Sequence, residues 1–235
     1  MTGRLDEGRV RDLLLVALTV STGAVDALSW LGLGKVFSAF MTGNIAFLGF
    51  RVGGADGPNL PRVIVAVVAF ALGAVLAGRI VAPTRDSGAA WPRRVTVALA
   101  GALVPQAAFL WVWVATGAHP SSATADVLIA MSALGMGMQT AAVFSLHVRG
   151  VFTTAATATW AVLMGDLSGW SQSRGERLRL TAVVLALFSG AVAGALLVVH
   201  AREWAAVLPL VLSASVVAVA ASRLREATGV PAVSV

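Results

Sequence analysis

Six stretches of this chain are apolar, nearly free of charge and long enough to cross a lipid bilayer. They are Leu13–Leu33, Val63–Gly78, Val95–Gly117, Val127–Leu146, Leu180–Val199 and Trp204–Ala221. A helix needs about 20 apolar residues to span a hydrocarbon core of ~30 Å. Lipid offers the backbone no hydrogen-bond partners, so runs of this length without strand alternation must be helices. Only 12% of the residues are charged and 58% are hydrophobic, against roughly 25% charged in a soluble domain. The expectation is an all-α membrane protein with no sizeable soluble domain. The first run has 21 residues, longer than a typical signal-peptide core of about 7–15, and is read as a retained span.

Two further apolar segments are shorter. Val36–Phe50 reads VFSAFMTGNIAFLGF and Val151–Gly165 reads VFTTAATATWAVLMG. As a helix, fifteen residues reach only about 22 Å. The two segments align at an offset of 115, with Val36-Phe37-Ser38 on Val151-Phe152-Thr153 and Thr42 on Thr157. The spans that follow also match, with Ala69, Gly73 and Ala77 in one and Ala186, Gly190 and Gly194 in the other. Such small-residue ladders let helix backbones approach closely in lipid. The chain is therefore expected to be a tail (1–12), a first membrane repeat (13–117), a second (118–222) and a C-terminal tail (223–235).

If the short segments break and turn back, each repeat has three spans and the two are inverted, as in many transporters. If they cross, there are eight helices in parallel 4+4 repeats. The positive-inside rule favours six spans. That arrangement gathers Arg4, Arg9 and Arg11, the Arg79–Arg94 cluster, Arg149, the Arg174–Arg179 cluster, Arg223 and Arg225 on one side, with both termini in the cytoplasm. Lys35, Arg51, Arg62 and Arg202 fall opposite. Arg62 and Arg79 are expected to snorkel from a short span. The same distribution accounts for a pI near 11.5 without a nucleic-acid partner. Thr42-Gly43-Asn44 is expected to interrupt a helix at membrane depth, with a half-helix starting near Asn44.

Gly23-Ala-Val-Asp-Ala-Leu-Ser29, Val36-Phe37 and Met41-Thr-Gly-Asn44, followed by Gly135-Met-Gly-Met-Gln139 and Thr153-Thr154, resemble the YoaK-like family of bacterial membrane proteins of unknown function. The resemblance runs over residues 13–222 and implies a multi-pass inner-membrane protein. The family tends to repeat Thr-Gly in its second half, whereas here Thr157 is followed by Ala158.

Asp26 is the sharpest polar residue, about 20 Å into its span. A carboxylate there must be protonated, paired or wet. It either couples a proton or cation or makes a structural hydrogen bond, to Asn44, Gln139 or a break in the backbone. Thr42, Gly43, Asn44, Thr157 and Thr159 are expected to meet at the midplane, joined by Gln139. Gln106 reads as an interhelical hydrogen bond and Asp126 as a helix cap. Cysteine is absent, the three histidines lie at span ends without ligand spacing, and no catalytic motif is present. No cofactor, metal or enzymatic role is expected. The expected function is a secondary transporter or permease for a small polar solute, with an anionic group on the solute and proton coupling as finer expectations. A channel or a membrane scaffold are the alternatives, the latter oligomerising through the Gly/Ala faces.

Overall fold

The computed structural model describes residues 2–84, 89–148, 156–165 and 173–224, and among them all regular structure is helical. The helices are α1 (Thr2–Gly32), α2 (Met41–Val52), α3 (Leu60–Val81), α4 (Arg93–Ala115), α5 (Ser122–Phe144), α6 (Ala156–Gly165), α7 (Arg174–His200) and α8 (Val207–Arg223). Six of the eight, all but α2 and α6, are long and apolar enough to cross a membrane. Several begin ahead of their apolar run because polar caps set the start. Asn59 accepts from the Arg62 N–H, Ser121 from Thr124 and Ser173 from Glu176. Each cap satisfies one of the N–H groups left free in a first turn. α1 takes in much of the expected N-terminal tail, and residues 225–235 of the C-terminal tail lie outside the described residues.

Two buried clusters mark the ends of the bundle. One contains Leu33, Val63, Trp113, Ala125, Val198 and Ala206, hence the end of α1, the start of α3, the end of α4, the start of α5 and the end of α7. The other contains Leu15, Val81, Val95, Val143, Leu180 and Ala220, the opposite ends of the same helices and of α8. Trp113, fully buried, donates its ring N–H to the Arg202 carbonyl at 3.0 Å and belongs to the core. Trp91 is also buried.

This geometry answers how the short segments run. Arg62, near the start of α3, donates Nη1–H to the carbonyl of Leu33, just past the end of α1, at 2.9 Å. The chain therefore leaves and re-enters the bundle at one end, with α2 lying between. Twelve residues of α2 amount to about 18 Å, and its Phe47 and Leu48 pack on the cluster at that same end. α6 lies at the other end, where Val162 and Leu163 pack on the opposite cluster. Arg62 does not snorkel as the sequence suggested. It is 8% exposed, bonded to Asp126 and to the carbonyl and hydroxyl of Ser122.

Helix directions follow from the contacts. α1 runs parallel to α7, with Asp12 near Arg179, Val20 against Gly190 and Ala24 against Gly194. α3 runs parallel to α5, through Arg62 and Asp126 and through Gly73 and Leu134. α1 and α5 cross in opposite senses, because Gln139 reaches Thr22 while Val25 packs with Met136. The glycine ladders close these interfaces. A Cβ on Gly73 would lie 2.0 Å from the Leu134 carbonyl oxygen, and one on Gly190 would lie 2.1 Å from that of Val20. Ala69, Ala77 and Ala186 are buried beside them. These ladders thus serve packing inside the chain.

Two outcomes follow. In a chain without native cysteine, Lys35→Cys and Ala55→Cys should react with an impermeant thiol reagent from the same side of the membrane, and Ala89→Cys only from the other. Labelling of 35 and 55 from opposite sides would mean that α2 crosses. Within α3, Gly73→Ala should lower the thermal unfolding midpoint in detergent, by about 1–3 kcal/mol of overpacking. Gly78→Ala, which meets nothing within 4 Å, should be neutral or stabilising.

Candidate functional site

Residues 33–40 join α1 to α2; the N–H groups of Leu33 and Lys35 still bond back to the Ser29 and Trp30 carbonyls, but the backbone groups that follow need other partners. Asp26 supplies them. One carboxylate oxygen, Oδ1, accepts the N–H of Ser38 at 2.9 Å and of Ala39 at 2.8 Å. Asn44 does the same from the other side. Its Oδ1 accepts the Phe37 N–H at 3.1 Å and its Nδ2 donates to the Phe37 carbonyl at 2.7 Å. Ser29 donates to the Val25 carbonyl at 2.7 Å and receives the Ser38 hydroxyl at 2.6 Å. The result is a closed knot of side chains around a broken backbone. It sits at the positive end of α2, where a carboxylate is favoured by the helix dipole.

Of the two alternatives left open for Asp26, the bond to a backbone break is what the structure contains. The break lies just before the Thr-Gly-Asn triplet, not within it, and α2 starts at Met41 rather than near Asn44. Phe40, at its N-cap, offers no side-chain cap. Gly43 lies under the rings of Phe37 and Phe40, where a Cβ would be 3.0–3.1 Å from their edges. Trp30 stacks on Phe37 at 4.7 Å between ring centroids, and Phe47 joins the same cluster. These rings hold α2 against the end of α1. Thr42 is exposed on the outer face of α2.

The polar residues of α1 form one stripe. Thr19, Thr22, Asp26 and Ser29 recur at helical spacing, and the hydroxyls of Thr19 and Thr22 donate to the carbonyls of Leu15 and Leu18. Gln139 of α5 enters this stripe one turn below Asp26, donating Nε2–H to Thr22 Oγ1 at 3.0 Å and to the Leu18 carbonyl at 3.4 Å. Asp26, Asn44 and Gln139 therefore line one polar seam along α1. Thr157, exposed, and Thr159, buried, belong to α6, which packs on α7 at the opposite end. Thr42, Gly43 and Asn44 on one side and Thr157 and Thr159 on the other therefore do not gather at one midplane site. The reason is that α2 and α6 dock at opposite ends of the bundle.

Sequence reasoning missed two features. Ser29 and Ser38 complete the Asp26 knot, and the spacing of Thr19, Thr22, Asp26 and Ser29 along one helix face was the available signal. Asp126 is not an N-terminal cap but the partner of buried Arg62. That pair could have been suspected from a cation and an acid opening two spans on the same side. Gln106 does not act as glue: neither of its buried amide atoms has a hydrogen-bond partner.

Comparison with known proteins gives a family but no mechanism. Residues 14–220 match the family described as "Protein of unknown function (DUF1275)". The chain is 33% identical over 159 residues to the UPF0700 transmembrane protein YoaK of Bacillus subtilis (strain 168), covering 68% of each protein. No solved structure matches the chain significantly.

The knot makes a graded prediction for stability. Asp26→Ala strands two buried N–H groups and should cost about 2–4 kcal/mol, and Asn44→Ala about 1–3 kcal/mol. Asp26→Asn keeps an acceptor at the same place and should cost less than Asp26→Ala. Thr42→Ala, on the exposed face, should have no measurable effect. Thermal unfolding of the four purified variants in detergent checks the order.

Proposed function

The chain belongs to the DUF1275 family of multi-pass membrane proteins, and from that premise we propose that it is a secondary transporter or permease for a small polar solute, coupled to protons through Asp26. The observation that carries this reading is the inverted relation between its halves. Residues of α3 and α7 correspond at an offset of 117, and residues of α1 and α5 at an offset of 114. Under those offsets the contact of Gly73 with Leu134 becomes that of Gly190 with Val20. The contact of Gly137 with Phe70 becomes that of Gly23 with Leu187. The ion pair of Arg62 and Asp126 becomes that of Arg179 and Asp12. Because α1 and α5 run in opposite senses, this correspondence supports two inverted three-span repeats. Inverted repeats offer a physical route to alternating access, since each half can adopt the shape of the other.

Asp26 suits a coupling role for a reason visible in the knot. As a carboxylate it accepts two N–H bonds from the segment leading into α2. Once protonated it is a weaker acceptor, and its hold on that segment loosens. Proton occupancy is then linked to the placement of α2. The preference for an anionic solute, which rested on an open helix N-terminus, loses its support because the Asp26 carboxylate already occupies that end. The arginine-rich loops support a cytoplasmic location for the α1 N-terminus and the α8 C-terminus, in the inner membrane.

Proteoliposomes with an imposed pH gradient test the proposal. A panel of small polar solutes should include one that accumulates saturably when the gradient is present. Asp26→Asn should abolish that accumulation and leave downhill exchange of the same solute. Flux that is unsaturable and indifferent to Asp26→Asn would make the protein a channel. No flux of any solute would leave the scaffold reading.

A further inference from the structure

Gln106 presents an unsolved problem of hydrogen bonding. It lies in the middle of α4, 9% exposed, and neither Nε2 nor Oε1 finds a partner. A primary amide carries two donors and two acceptor sites, and leaving them all empty in an interior surrounded by lipid is costly. An unsatisfied group of this kind calls for a ligand or an ordered water. The preceding residue, Pro105, lies inside the helix and has no N–H, which frees the Gly101 carbonyl and loosens α4 at this point.

A small cavity lies beside it. Gln106 and Ser132 are the lining residues with polar side chains, and Val25, Phe109, Pro209 and Leu210 belong to the apolar walls. Its volume is about 20 Å³, room for one water. The walls come from α1, α4, α5 and α8, so both halves of the chain contribute. No charged residue lines it. At the other end of the same four helices, Leu18, Leu99, Ala102, Ala142 and Val216 are packed together and buried. Next to the cavity wall, Ser21 bonds Ser213 and the Pro209 carbonyl, leaving neither hydroxyl idle.

We propose that Gln106 and Ser132 form the binding site for the transported solute, and that this solute is a small uncharged molecule bearing a donor and an acceptor side by side, as a carboxamide or urea does. An amide of that kind pairs with the Gln106 amide through two antiparallel hydrogen bonds, donor to acceptor in each direction, and Ser132 adds a third partner. An ion would find no counter-charge in this lining and would be excluded by desolvation. The cavity as it stands has room for one water, so an amide-sized solute must displace its walls to fit. This assignment rests on the transporter reading and replaces the Thr-Gly-Asn triplet as the place where solute binds; Asp26 then couples without touching it.

The test uses the full chain in proteoliposomes and two named probes, acetamide and urea, with influx followed by stopped-flow light scattering. The wild type should admit at least one of them faster than protein-free vesicles. Gln106→Leu should reduce that rate by at least about tenfold while keeping or raising the unfolding midpoint, because an unpaired amide has been removed. Ser132→Ala should reduce it several-fold, and it stands in if Gln106→Leu does not fold. Flux of acetamide or urea that both variants leave unchanged would overturn the site and spare the transporter reading. So would an absence of both fluxes in a protein that accumulates another solute under a pH gradient. If no solute moves in either assay, the transporter reading itself fails. An unchanged flux with a raised midpoint in Gln106→Leu would mean that the cavity holds structural water only.

Discussion

A backbone N–H without a partner is expensive in hydrocarbon, and the fold turns on how this chain deals with that cost at one place. Between α1 and α2 the helix stops and several N–H groups come free. The two carboxylate bonds from Asp26 and the two-way bond between Asn44 and Phe37 make the stop tolerable, since irregular backbone survives at depth only where protein satisfies it. Because the helix can stop, α2 can be short. Because α2 is short, the chain comes back to the end of the bundle it left, where Arg62 ties the start of α3 to Leu33. The opposite senses of α1 and α5 follow from that return. A continuous helix through residues 33–52 would carry α3 in from the other face and make the halves parallel.

The packing between helices depends on a second constraint, close approach. Lipid tails are as apolar as leucine, so burial alone does not bring membrane helices together, and dispersion and polar bonds must. Gly73 and Gly190 let backbones touch at the level where α3 meets α5 and α1 meets α7. Each interface is also pinned at one end by an arginine and an aspartate, Arg62 with Asp126 and Arg179 with Asp12. Removing a methyl-sized space in the middle or a charge at the end would strain the same pair of helices. Each of these two closely packed pairs takes one helix from the first half of the chain and one from the second.

Much of this was legible in the sequence. The six spans appear as apolar runs because length and hydropathy are what lipid selects for, and caps such as Asn59 and Ser121 account for helices that begin ahead of their runs. The ladder Ala69-Gly73-Ala77 and its counterpart could be read as interfaces, but not as interfaces within the chain, because spacing carries no information about the partner. The position of the break was less visible. Thr-Gly-Asn looks like a turn, yet Gly43 makes room for aromatic rings and Asn44 reaches back to Phe37 from inside α2. The free ends of a backbone are bonded by side chains several residues away, so a break and the residues that stabilise it need not coincide. Arg62 and Gln106 were misread for a shared reason. Whether a buried polar side chain is satisfied depends on which helix lies opposite, and periodicity does not say.

The departure from symmetry is as telling as the symmetry. Under the offset that relates α1 to α5, Asp26 corresponds to Thr140, a residue whose hydroxyl donates to the Met136 carbonyl of its own helix. Asn44 corresponds to Thr159 at the offset of the short segments. The second half therefore keeps the small residues, the close helix contact and the arginine–aspartate pair, and lacks the carboxylate. Within the transport proposal, one carboxylate near the crossing of α1 and α5 serves one proton and one conformational change, with a neutral hydroxyl at the corresponding place in α5. On that proposal the asymmetry at Asp26 bears on coupling, and the uncharged cavity beside Gln106 bears on what is carried. The two lie on neighbouring turns of the same bundle, with α1 common to both.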